Sequence, residues 1–340
     1  MKILITGGLG FVGSHCVEGV IKHTDWDIVI LDALTYAGNI NRLADIDIWQ
    51  GNHYEKLFNS DQAFRIKIVW HDLRAEISET THKLIGDIDY VWHLAAESHV
   101  ENSLKDPIPF AYNVISTTNL LWYLKNKQPS LKKYIGFNTD EVFGPAPDGV
   151  FYKETDKFYP SNPYSASKGG QWCMEYSFYR SHRMPIVQVH SMNIFGERQH
   201  PEKFIPMVVK RLLSGEKITI HGIKGESISS RCWIHAREVC NGLIFLMGKG
   251  KIGETYNIIG EERSVLELAN TASMAIKARD LHDDEIDWVD YHKNRPGHDL
   301  RYALSGEKIK ELGWSPSNTL DQSFSKMVKW MADNPKWLNL

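Results

Sequence analysis

Two ionisable side chains, Tyr164 and Lys168, stand four residues apart in the segment 162–168, which reads NPYSASK. On a helix, residues at positions i and i+4 lie on one face. A tyrosine titrates near about 10, and a neighbouring ammonium group favours the phenolate and lowers that pKa. We therefore expect Tyr164 to act as a base near neutral pH. The alternative for this spacing alone is an ordinary pair on a helix surface.

A hydroxyl and two adjacent carboxyl groups, Thr139, Asp140 and Glu141, follow an apolar run at 133–138. In an open parallel α/β sheet, ligands bind outside the carboxyl ends of the strands. Adjacent carboxyl groups repel each other when both are ionised, which favours one protonated acid beside one ionised base. Taken alone, an Asp-Glu pair is also typical of a solvated strand end. The catalytic interpretation of Asp140 and Glu141 therefore depends on the Tyr164–Lys168 pair and on the glycine loop described next.

Residues 6–13, TGGLGFVG, carry glycines at the spacing of a dinucleotide-binding loop. Gly7, Gly10 and Gly13 are three residues apart, and Gly8 also gives a Gly-x-Gly-x-x-Gly pattern. Such glycines permit a tight turn and close approach of a pyrophosphate, and the N-terminus of the following helix attracts anions. A flexible turn is the alternative for the glycines alone, but a strand before them and a helix after them favour the dinucleotide site.

Asp32 ends the second predicted strand, about 20 residues after this loop, where dinucleotide-binding folds place an acidic residue on the ribose. A carboxylate there accepts hydrogen bonds from ribose hydroxyls and repels a 2′-phosphate. No arginine follows it directly, so the sequence favours NAD over NADP. Asp72 and Leu73, after the third predicted strand, are placed to hold the adenine.

Strands and helices alternate along the first half of the chain, which predicts a parallel sheet covered on both faces. The fold class we expect is α/β, a Rossmann-type doubly wound parallel sheet with a smaller C-terminal α/β substrate lobe. Residues 1–192 would form the NAD-binding domain, to which 231–250 returns, and 193–340 would be mainly the substrate-binding lobe. The predicted strands are 2–6, 27–31, 66–70, 88–93, 133–138 and 185–191, and the predicted helices are 11–23, 103–127 and 163–182.

In the second half of the chain, the predicted strands and helices alternate less regularly. Ser264, with Glu267 three residues later, predicts a helix that opens with a capping box. The other predicted elements there are helices at 202–214, 234–248 and 319–333 and strands at 217–221 and 254–259.

Composition excludes several classes of protein. Lys+Arg is 39 and Asp+Glu is 42, a net charge of −3, and no basic run indicates nucleic acid or a membrane surface. No apolar stretch approaches the roughly 20 residues of a transmembrane helix. Cys16, Cys173, Cys232 and Cys240 have no metal-like pairing, so we expect no metal site. Reduced cysteines and the lack of an apparent leader predict a cytoplasmic protein.

Seven segments together make the chain resemble the extended short-chain dehydrogenase/reductase family, and within it the nucleotide-sugar 4,6-dehydratases of the dTDP-glucose 4,6-dehydratase type. Thr-Asp-Glu is more discriminating than the glycine loop and the Tyr164 pair, because sugar epimerases generally lack the carboxyl pair and decarboxylases keep only the glutamate. The segments are TGGLGFVGSH (6–15), DALTYAGN (32–39), HLAAESHVENS (93–103), NTDEVFG (138–144), NPYSASK (162–168), HPEKFIPMVV (200–209) and NRPGHDLRYAL (294–304).

The resemblance implies a catalytic role for five residues. Tyr164 takes the proton of the sugar 4-hydroxyl while C4 gives its hydride to NAD, and Lys168 supports the phenolate. Thr139 hydrogen-bonds the 4-oxygen. Glu141 removes the C5 proton, and Asp140 protonates the departing 6-hydroxyl. The hydride then returns to C6, so the product is a 4-keto-6-deoxy sugar and the enzyme is a lyase with no net redox change.

The resemblance also implies the residues that bind each ligand. Arg231 would clamp the diphosphate of a nucleotide sugar, as guanidinium geometry allows. The expected cofactor-binding residues are Gly7, Gly10, Phe11, Val12, Gly13, Asp32, Ala33, Leu34, Thr35, Asp72, Leu73, Leu94, Ala95, Ala96, Ser98, Asn113, Tyr164 and Lys168. The expected substrate-binding residues are Ser98, Thr139, Asn193, Lys203, Phe204, Arg231, Asn294, Arg295 and His298.

Departures from the family pattern concern the substrate more than the reaction. They are Asn138, Phe143, Ile194, Cys232 and Ser264, together with a longer segment between His221 and Arg231. The nucleotide and hexose therefore stay open: dTDP-glucose is favoured, and a UDP- or GDP-linked hexose or N-acetylhexose is the alternative. A sugar epimerase, a decarboxylase and a catalytically silent NAD-binding regulatory protein are further alternatives, against which the intact catalytic five argue.

A homodimer is expected through the helices 103–127 and 163–182, because relatives pair the equivalent helices between two subunits. The apolar side chains expected to face outward are Leu120, Leu121, Trp122, Leu124, Trp172, Met174 and Phe178. Packing on the chain's own sheet is the alternative.

Overall fold

The computed structural model describes residues 1–44, 65–290 and 301–340. Within them, seven parallel strands form one sheet in the order β11-β6-β5-β4-β1-β2-β3, which has the doubly wound order of a Rossmann fold. The α/β prediction is confirmed. The strands are β1 (Lys2–Thr6), β2 (Asp27–Asp32), β3 (Ile66–Trp70), β4 (Tyr90–His93), β5 (Lys133–Thr139), β6 (Ile186–Ser191) and β11 (Thr255–Ile258).

Helices cover both faces of this sheet. The longer helices of the described residues are α1 (Phe11–His23), α5 (Ile108–Lys127), α6 (Pro163–His182), α7 (Phe204–Ser214), α8 (Ala236–Lys249), α9 (Val265–Lys277) and α11 (Leu320–Asp333). Of these, α7, α9 and α11 pack on two smaller sheets and not on the main sheet. The shorter ones are α2 (Asn41–Ala44), α3 (Glu79–Ile85), α4 (Val100–Lys105) and α10 (Glu307–Glu311), with 3₁₀ turns at Asp140–Phe143, Asp283–Glu285 and Pro335–Leu338.

Alternate residues of each strand serve different cores, because successive side chains of a strand point to opposite faces. Ile3 and Ile5 of β1 pack with helices α1 and α8 on one face. Leu4 packs with α5 and α6 on the other. Residues 236–249 therefore lie in the helical layer of the main sheet, although they come late in the chain.

Two small three-stranded sheets are formed by the second half of the chain. One joins β12 (Glu261–Ser264), β10 (Ser230–His235) and β7 (Asn193–Phe195), and the other joins β13 (Ile286–Val289), β8 (Ile218–Ile223) and β9 (Ser227–Ile228). Helices α7, α9 and α11 close a separate apolar core over them. Ser264 caps α9 with the reciprocal hydrogen bonds to Glu267 that the capping-box pattern predicts.

The predicted helix 103–127 is wrong as a single element. The structure has α4 at Val100–Lys105 and α5 at Ile108–Lys127, separated by Asp106 and Pro107. Proline has no N–H to continue the helix and disfavours the helical conformation in the residue before it. The chain therefore stops at Asp106 and restarts after the proline.

The predicted outward apolar face of α5 and α6 also needs correction. Leu120, Leu121, Leu124 and Phe178 are buried against the sheet in the core shared with β1 and β2. Trp122 is 51% exposed, and Trp172 and Met174 are half-buried. The apolar residues that α5 does expose are Ile108, Tyr112, Ile115 and Trp122.

Candidate active site

The glycine loop between β1 and α1 leaves room for a phosphate. Gly7 has φ +70°, a left-handed conformation that other residues adopt only with strain, and a Cβ at Gly13 would stand 2.1 Å from the Gly7 carbonyl oxygen. Gly10 is the N-cap of α1 and supplies no capping side chain. The first N–H groups of the helix are thereby available to an anion in the cleft, so the loop fits a dinucleotide diphosphate.

Asp32 lies buried at the end of β2. Its carboxylate accepts the backbone N–H groups of Leu9 (2.9 Å) and Leu34 (2.8 Å), and its remaining lone pairs are available to ribose hydroxyls. Burial raises its pKa, and the two N–H donors oppose that increase. Leu34, which the resemblance implies as a cofactor-binding residue, lines neither part of the cleft. Its φ is +51° and the residue is 45% exposed.

The cleft at the carboxyl ends of the strands has two connected parts. They share Gly7, Gly10, Ala37, Leu94 and Ala96. One part extends along β2 and β3 to Asn113. The other, of about 340 Å³, reaches the catalytic groups. The predicted cofactor residues that line the cleft are Gly7, Gly10, Phe11, Val12, Gly13, Asp32, Ala33, Thr35, Asp72, Leu73, Leu94, Ala95, Ala96, Ser98, Asn113, Tyr164 and Lys168.

The catalytic groups meet where β5 ends and α6 begins. Thr139 Oγ1 donates to Asp140 Oδ1 at 3.1 Å, and the Tyr164 phenol is hydrogen-bonded to the same threonine. The side-chain amide of Asn162, the N-cap of α6, donates to Glu141 Oε2 at 3.2 Å. The 3₁₀ turn after β5 thus places both carboxyl groups beside the phenol in one cavity.

Asp140 can act as a proton donor near neutral pH. Its side chain is 4% exposed, and burial together with the neighbouring Glu141 raises its pKa to about 7. Oδ2 is buried and has no hydrogen-bond partner among the described residues. One carboxyl oxygen is therefore left to hold a proton, whereas Glu141 is held by the amide of Asn162.

The expected decrease in the pKa of Tyr164 is wrong for the chain alone. Burial and the charge of Glu141 raise that pKa. The Lys168 ammonium donates instead to the carbonyl oxygen of Phe137 (2.7 Å) and to Gln171 Oε1 (2.6 Å). Burial lowers the pKa of Lys168 to about 8, so the lysine still carries a charge at neutral pH.

The predicted substrate residues divide into three groups. Ser98, Thr139, Asn193, Lys203 and Phe204 line the catalytic part of the cleft. Arg231 lies outside its lining, with the guanidinium 4.8 Å from the ring centre of Tyr302, yet near enough for its charge to lower the pKa of Asp140. Asn294, Arg295 and His298 lie outside the described residues.

Sequence reasoning missed a cluster of three polar side chains in the lining of this cavity. Tyr36 Oη donates to Glu202 Oε1 at 3.4 Å, and His200 Nδ1 stands 3.6 Å from the same oxygen. All three line the cleft. They lie in the segments 32–39 and 200–209 that carry the family resemblance, so the signal was available.

The departures from the family pattern have local roles. Asn138 donates to the Lys168 carbonyl oxygen at 3.0 Å and accepts the Thr139 N–H. Phe143 is buried and stacks on Tyr152. Cys232 is buried, as a free thiol, in the same apolar cluster as Phe143.

Metal-binding clusters and membrane-spanning helices are both absent from the described residues. Across 1–44, 65–290 and 301–340, no cluster of three or more His, Cys, Asp or Glu side chains could hold a metal ion. In the same ranges, no helix is both long and apolar enough to cross a bilayer.

Known proteins resemble this chain over its full length. The family model described as GDP-mannose 4,6 dehydratase matches residues 4–327. The dTDP-glucose 4,6-dehydratase of Salmonella typhimurium is 35% identical over 365 residues, which cover 100% of this chain and 95% of that protein.

Solved structures resemble it equally broadly. DesIV (dTDP-glucose 4,6-dehydratase) from Streptomyces venezuelae, crystallised with NAD, is 30% identical with a TM-score of 0.85, and the match covers 99% of this chain and 98% of that one. The UDP-glucose 4-epimerase of Thermus thermophilus has a TM-score of 0.81 at 22% identity, over 97% of this chain and 98% of the other, and shares the fold.

Proposed function

The chain belongs to the nucleotide-sugar 4,6-dehydratases of the extended short-chain dehydrogenase/reductase family, and on that premise we propose that it converts dTDP-glucose to dTDP-4-keto-6-deoxyglucose and water. It is thus an NAD-dependent lyase of deoxysugar biosynthesis. The observation that carries the reaction is the set of Asp140, Glu141 and Tyr164 around one cavity, with Asp140 buried and its pKa raised to about 7.

NAD is the cofactor, and the cleft fits it. The glycine loop receives the diphosphate and Asp32 the adenosine ribose, where a 2′-phosphate would meet a carboxylate. When bound, NAD accepts the hydride of C4 and returns it to C6. The chain's own residues supply the proton transfers.

The first proton transfer belongs to Tyr164. Its oxygen takes the proton of the 4-hydroxyl, and Thr139, already hydrogen-bonded to the phenol, holds the same substrate oxygen. Because burial and Glu141 raise the pKa of Tyr164, the phenolate needs a nearby positive charge. Lys168, one helical turn away, carries that charge at neutral pH.

The elimination needs a base and an acid on adjacent residues. Glu141, held by Asn162, removes the C5 proton that the 4-keto group has acidified. Asp140 gives its proton to the departing 6-hydroxyl, which leaves as water. When the hydride adds to C6, Glu141 returns its proton to C5, and transfer of the proton on Tyr164 to Asp140 restores both groups for the next turnover. An epimerase has no use for this acid, because it breaks no bond at C6, and Asp140 therefore favours the dehydratase.

A test of activity starts from three nucleotide sugars incubated with NAD and the protein. dTDP-glucose should give the 4-keto sugar, detected by its absorbance in alkali, whereas UDP-glucose and GDP-mannose should give less. Asp140→Asn, in the cavity, should form much less product. Asp27→Asn, the matched acid-to-amide change at an exposed residue of β2, should behave like wild type. Formation of a 4-epimer without loss of water would overturn the dehydratase assignment.

A homodimer through α5 and α6 is part of the proposal. Ile108, Tyr112, Ile115 and Trp122 are exposed apolar side chains on α5, which packs against α6 within the subunit. A second pair of the same helices would cover them. Sedimentation should give a species of about twice the 39.0 kDa chain, and Ile115→Glu should shift it to the monomer. A wild-type monomer at micromolar concentration would refute the dimer.

We also propose a cytoplasmic location. Cys16 and Cys240 are free thiols in mutual contact between α1 and α8, as a reducing compartment would keep them. Fractionation of cells expressing the tagged chain, with thiol labelling after denaturation, tests this. Oxidised thiols or a membrane-bound fraction would count against it.

A further inference from the structure

A fully buried carboxylate, Glu175, lies behind the catalytic lysine and has no part in the mechanism above. Its residue is 0% exposed and stands on α6, two turns after Lys168. The carboxylate accepts hydrogen bonds from the Tyr134 phenol (2.8 Å), the Gln188 amide (3.1 Å) and the Gln171 amide (3.2 Å). Burial of a carboxylate is unfavourable unless it is hydrogen-bonded and paired with a charge, so its partner matters.

The charged partner of Glu175 is Lys168, and the side-chain amide of Gln171 lies between them. Gln171 Oε1 accepts from Lys168 Nζ at 2.6 Å, and Gln171 Nε2 donates to Glu175 Oε1 at 3.2 Å. All three groups bonded to Glu175 act as O–H or N–H donors, which is the set that an ionised carboxylate requires. Burial raises the pKa of Glu175, and these three donors together with the charge of Lys168 oppose that increase. Glu175 thereby determines which end of the Gln171 amide faces Lys168, and the amide bridges a cation and an anion.

The sheet is shaped to admit this carboxylate. A Cβ on Gly136, in the middle of β5, would stand 2.1 Å from Glu175 Oε2 and 2.3 Å from its Cδ. Only glycine at this position leaves the space that Glu175 occupies. The donors Tyr134 and Gln188 come from β5 and from the neighbouring strand β6, so two strands and one helix contribute to the pocket.

In the described part of the chain, Glu175 supplies the negative charge that acts on Lys168. The histidine and tyrosine side chains near the lysine add no charge of either sign in the chain alone. Burial lowers the pKa of each nearby histidine to about 3, so both are neutral. Burial also raises the pKa of Tyr134 and, in the chain alone, of Tyr164, so neither phenol adds a negative charge beside Lys168 before NAD and substrate bind. The groups concerned are His93 on β4, His190 on β6, Tyr134 on β5 and Tyr164 on α6.

We propose that Glu175 is a positioning residue that acts through Gln171 to keep the Lys168 ammonium charged and held in place at the lining of the cleft. The proposal rests on the role assigned to Lys168 in the proposed function. Burial lowers the pKa of Lys168, and the charge of Glu175 opposes that decrease. Without Glu175 the lysine would lose its proton at lower pH, and the alkaline limit of catalysis would move with it.

Glu175→Gln tests this, since it keeps the size of the side chain and removes its charge. An opposite charge nearby typically shifts a pKa by about one unit or more, so Lys168 should titrate about one unit lower. NMR titration of ¹³Cε-labelled lysine measures this, with Lys168→Met to assign the signal. The alkaline limb of the C4 oxidation step, which does not use the acid Asp140, should move down by about the same amount, a loss of about tenfold there, with KM for the nucleotide sugar little changed.

Two further variants keep the test decisive. Gln171→Leu removes the bridge, leaves Glu175 with Tyr134 and Gln188, and should shift the Lys168 titration in the same direction. Glu238→Gln removes a buried carboxylate on α8, remote from the cleft, and should leave the titration unchanged.

An unchanged Lys168 titration in folded Glu175→Gln would overturn the proposal, and if that variant fails to fold, Gln171→Leu decides in its place. The titration needs no turnover. Absence of dehydratase activity would therefore count against the proposed function and not against this role of Glu175.

Discussion

Replacement of Asp140 by asparagine should separate the two halves of the reaction. Asparagine keeps the shape of the side chain and can still accept the Thr139 hydroxyl at the Oδ1 position, which is 3.1 Å from it in the native chain. It cannot supply the proton at Oδ2, the buried oxygen without a partner in the described residues. Oxidation at C4 should therefore proceed, and loss of the 6-hydroxyl should stall.

The size of the effect follows from the raised pKa of Asp140. With a pKa of about 7, about half of the molecules hold the proton at pH 7 and about a tenth at pH 8. A positioned general acid contributes about 10²- to 10⁴-fold, so product formation should fall by that factor. The wild-type elimination should lose about tenfold per pH unit above about 7, and the variant should show no such limb.

A stopped-flow measurement of reduced cofactor absorbance follows the stall. Asp140→Asn should accumulate the reduced cofactor after one oxidation, whereas wild type and Asp27→Asn should return to the oxidised form. Near-normal formation of the 4-keto-6-deoxy product by Asp140→Asn would refute the reasoning and return weight to an epimerase.

The same substitution should stabilise the fold at alkaline pH. The folded pKa of Asp140, about 7, lies above the ordinary value of 3.8, so the folded chain binds this proton more tightly than the unfolded chain does. The free energy of unfolding that Asp140 contributes therefore falls as pH rises from about 4 to about 7. Asp140→Asn should raise the Tm relative to wild type at pH 8 and leave it similar at pH 4; the reverse order would show that the carboxyl is not disfavoured as an anion.

Three further substitutions test other parts of the site. Glu141→Gln should abolish solvent-deuterium exchange at C5 and slow turnover by about 10²- to 10⁴-fold, and retained exchange would assign the base elsewhere. Tyr164→Phe should give no reduced cofactor at all, which distinguishes it from both carboxyl variants in a single-turnover experiment. Gly13→Ala should abolish NAD binding in calorimetry, because the new Cβ would stand 2.1 Å from the Gly7 oxygen. Gly248→Ala, where nothing lies within 4 Å, is its matched control and should bind NAD normally.

The main sheet could be predicted because its signals are local. Ile28 to Leu31 form an apolar run that a strand buried on both faces requires. The three-residue strand Asn193–Phe195 could not be predicted in this way. It exists because β10, from a distant part of the chain, pairs with it, and no local pattern encodes such a partner.

Some residues of the site could likewise be predicted from local sequence, and others could not. Asp140 and Glu141 were identifiable because their chemistry depends on adjacency in the sequence. Gln171 and Glu175 have the spacing of an ordinary solvated helix face, and only the fold shows that this face is buried. The interpretation of Tyr164 went wrong for a related reason, since helical spacing gives proximity to Lys168 but does not show which acceptors the ammonium prefers.

Gly136 and Glu175 also restrict the order in which either position can change. A Cβ at 136 and the carboxylate at 175 would occupy the same space, with 2.1 Å between them. A mutational path through folded proteins must therefore remove the carboxylate before it adds a side chain to β5, and the reverse path must restore glycine first. Libraries that vary position 136 alone should return only glycine, whereas libraries that vary both positions together should recover pairs with a small apolar residue on each side.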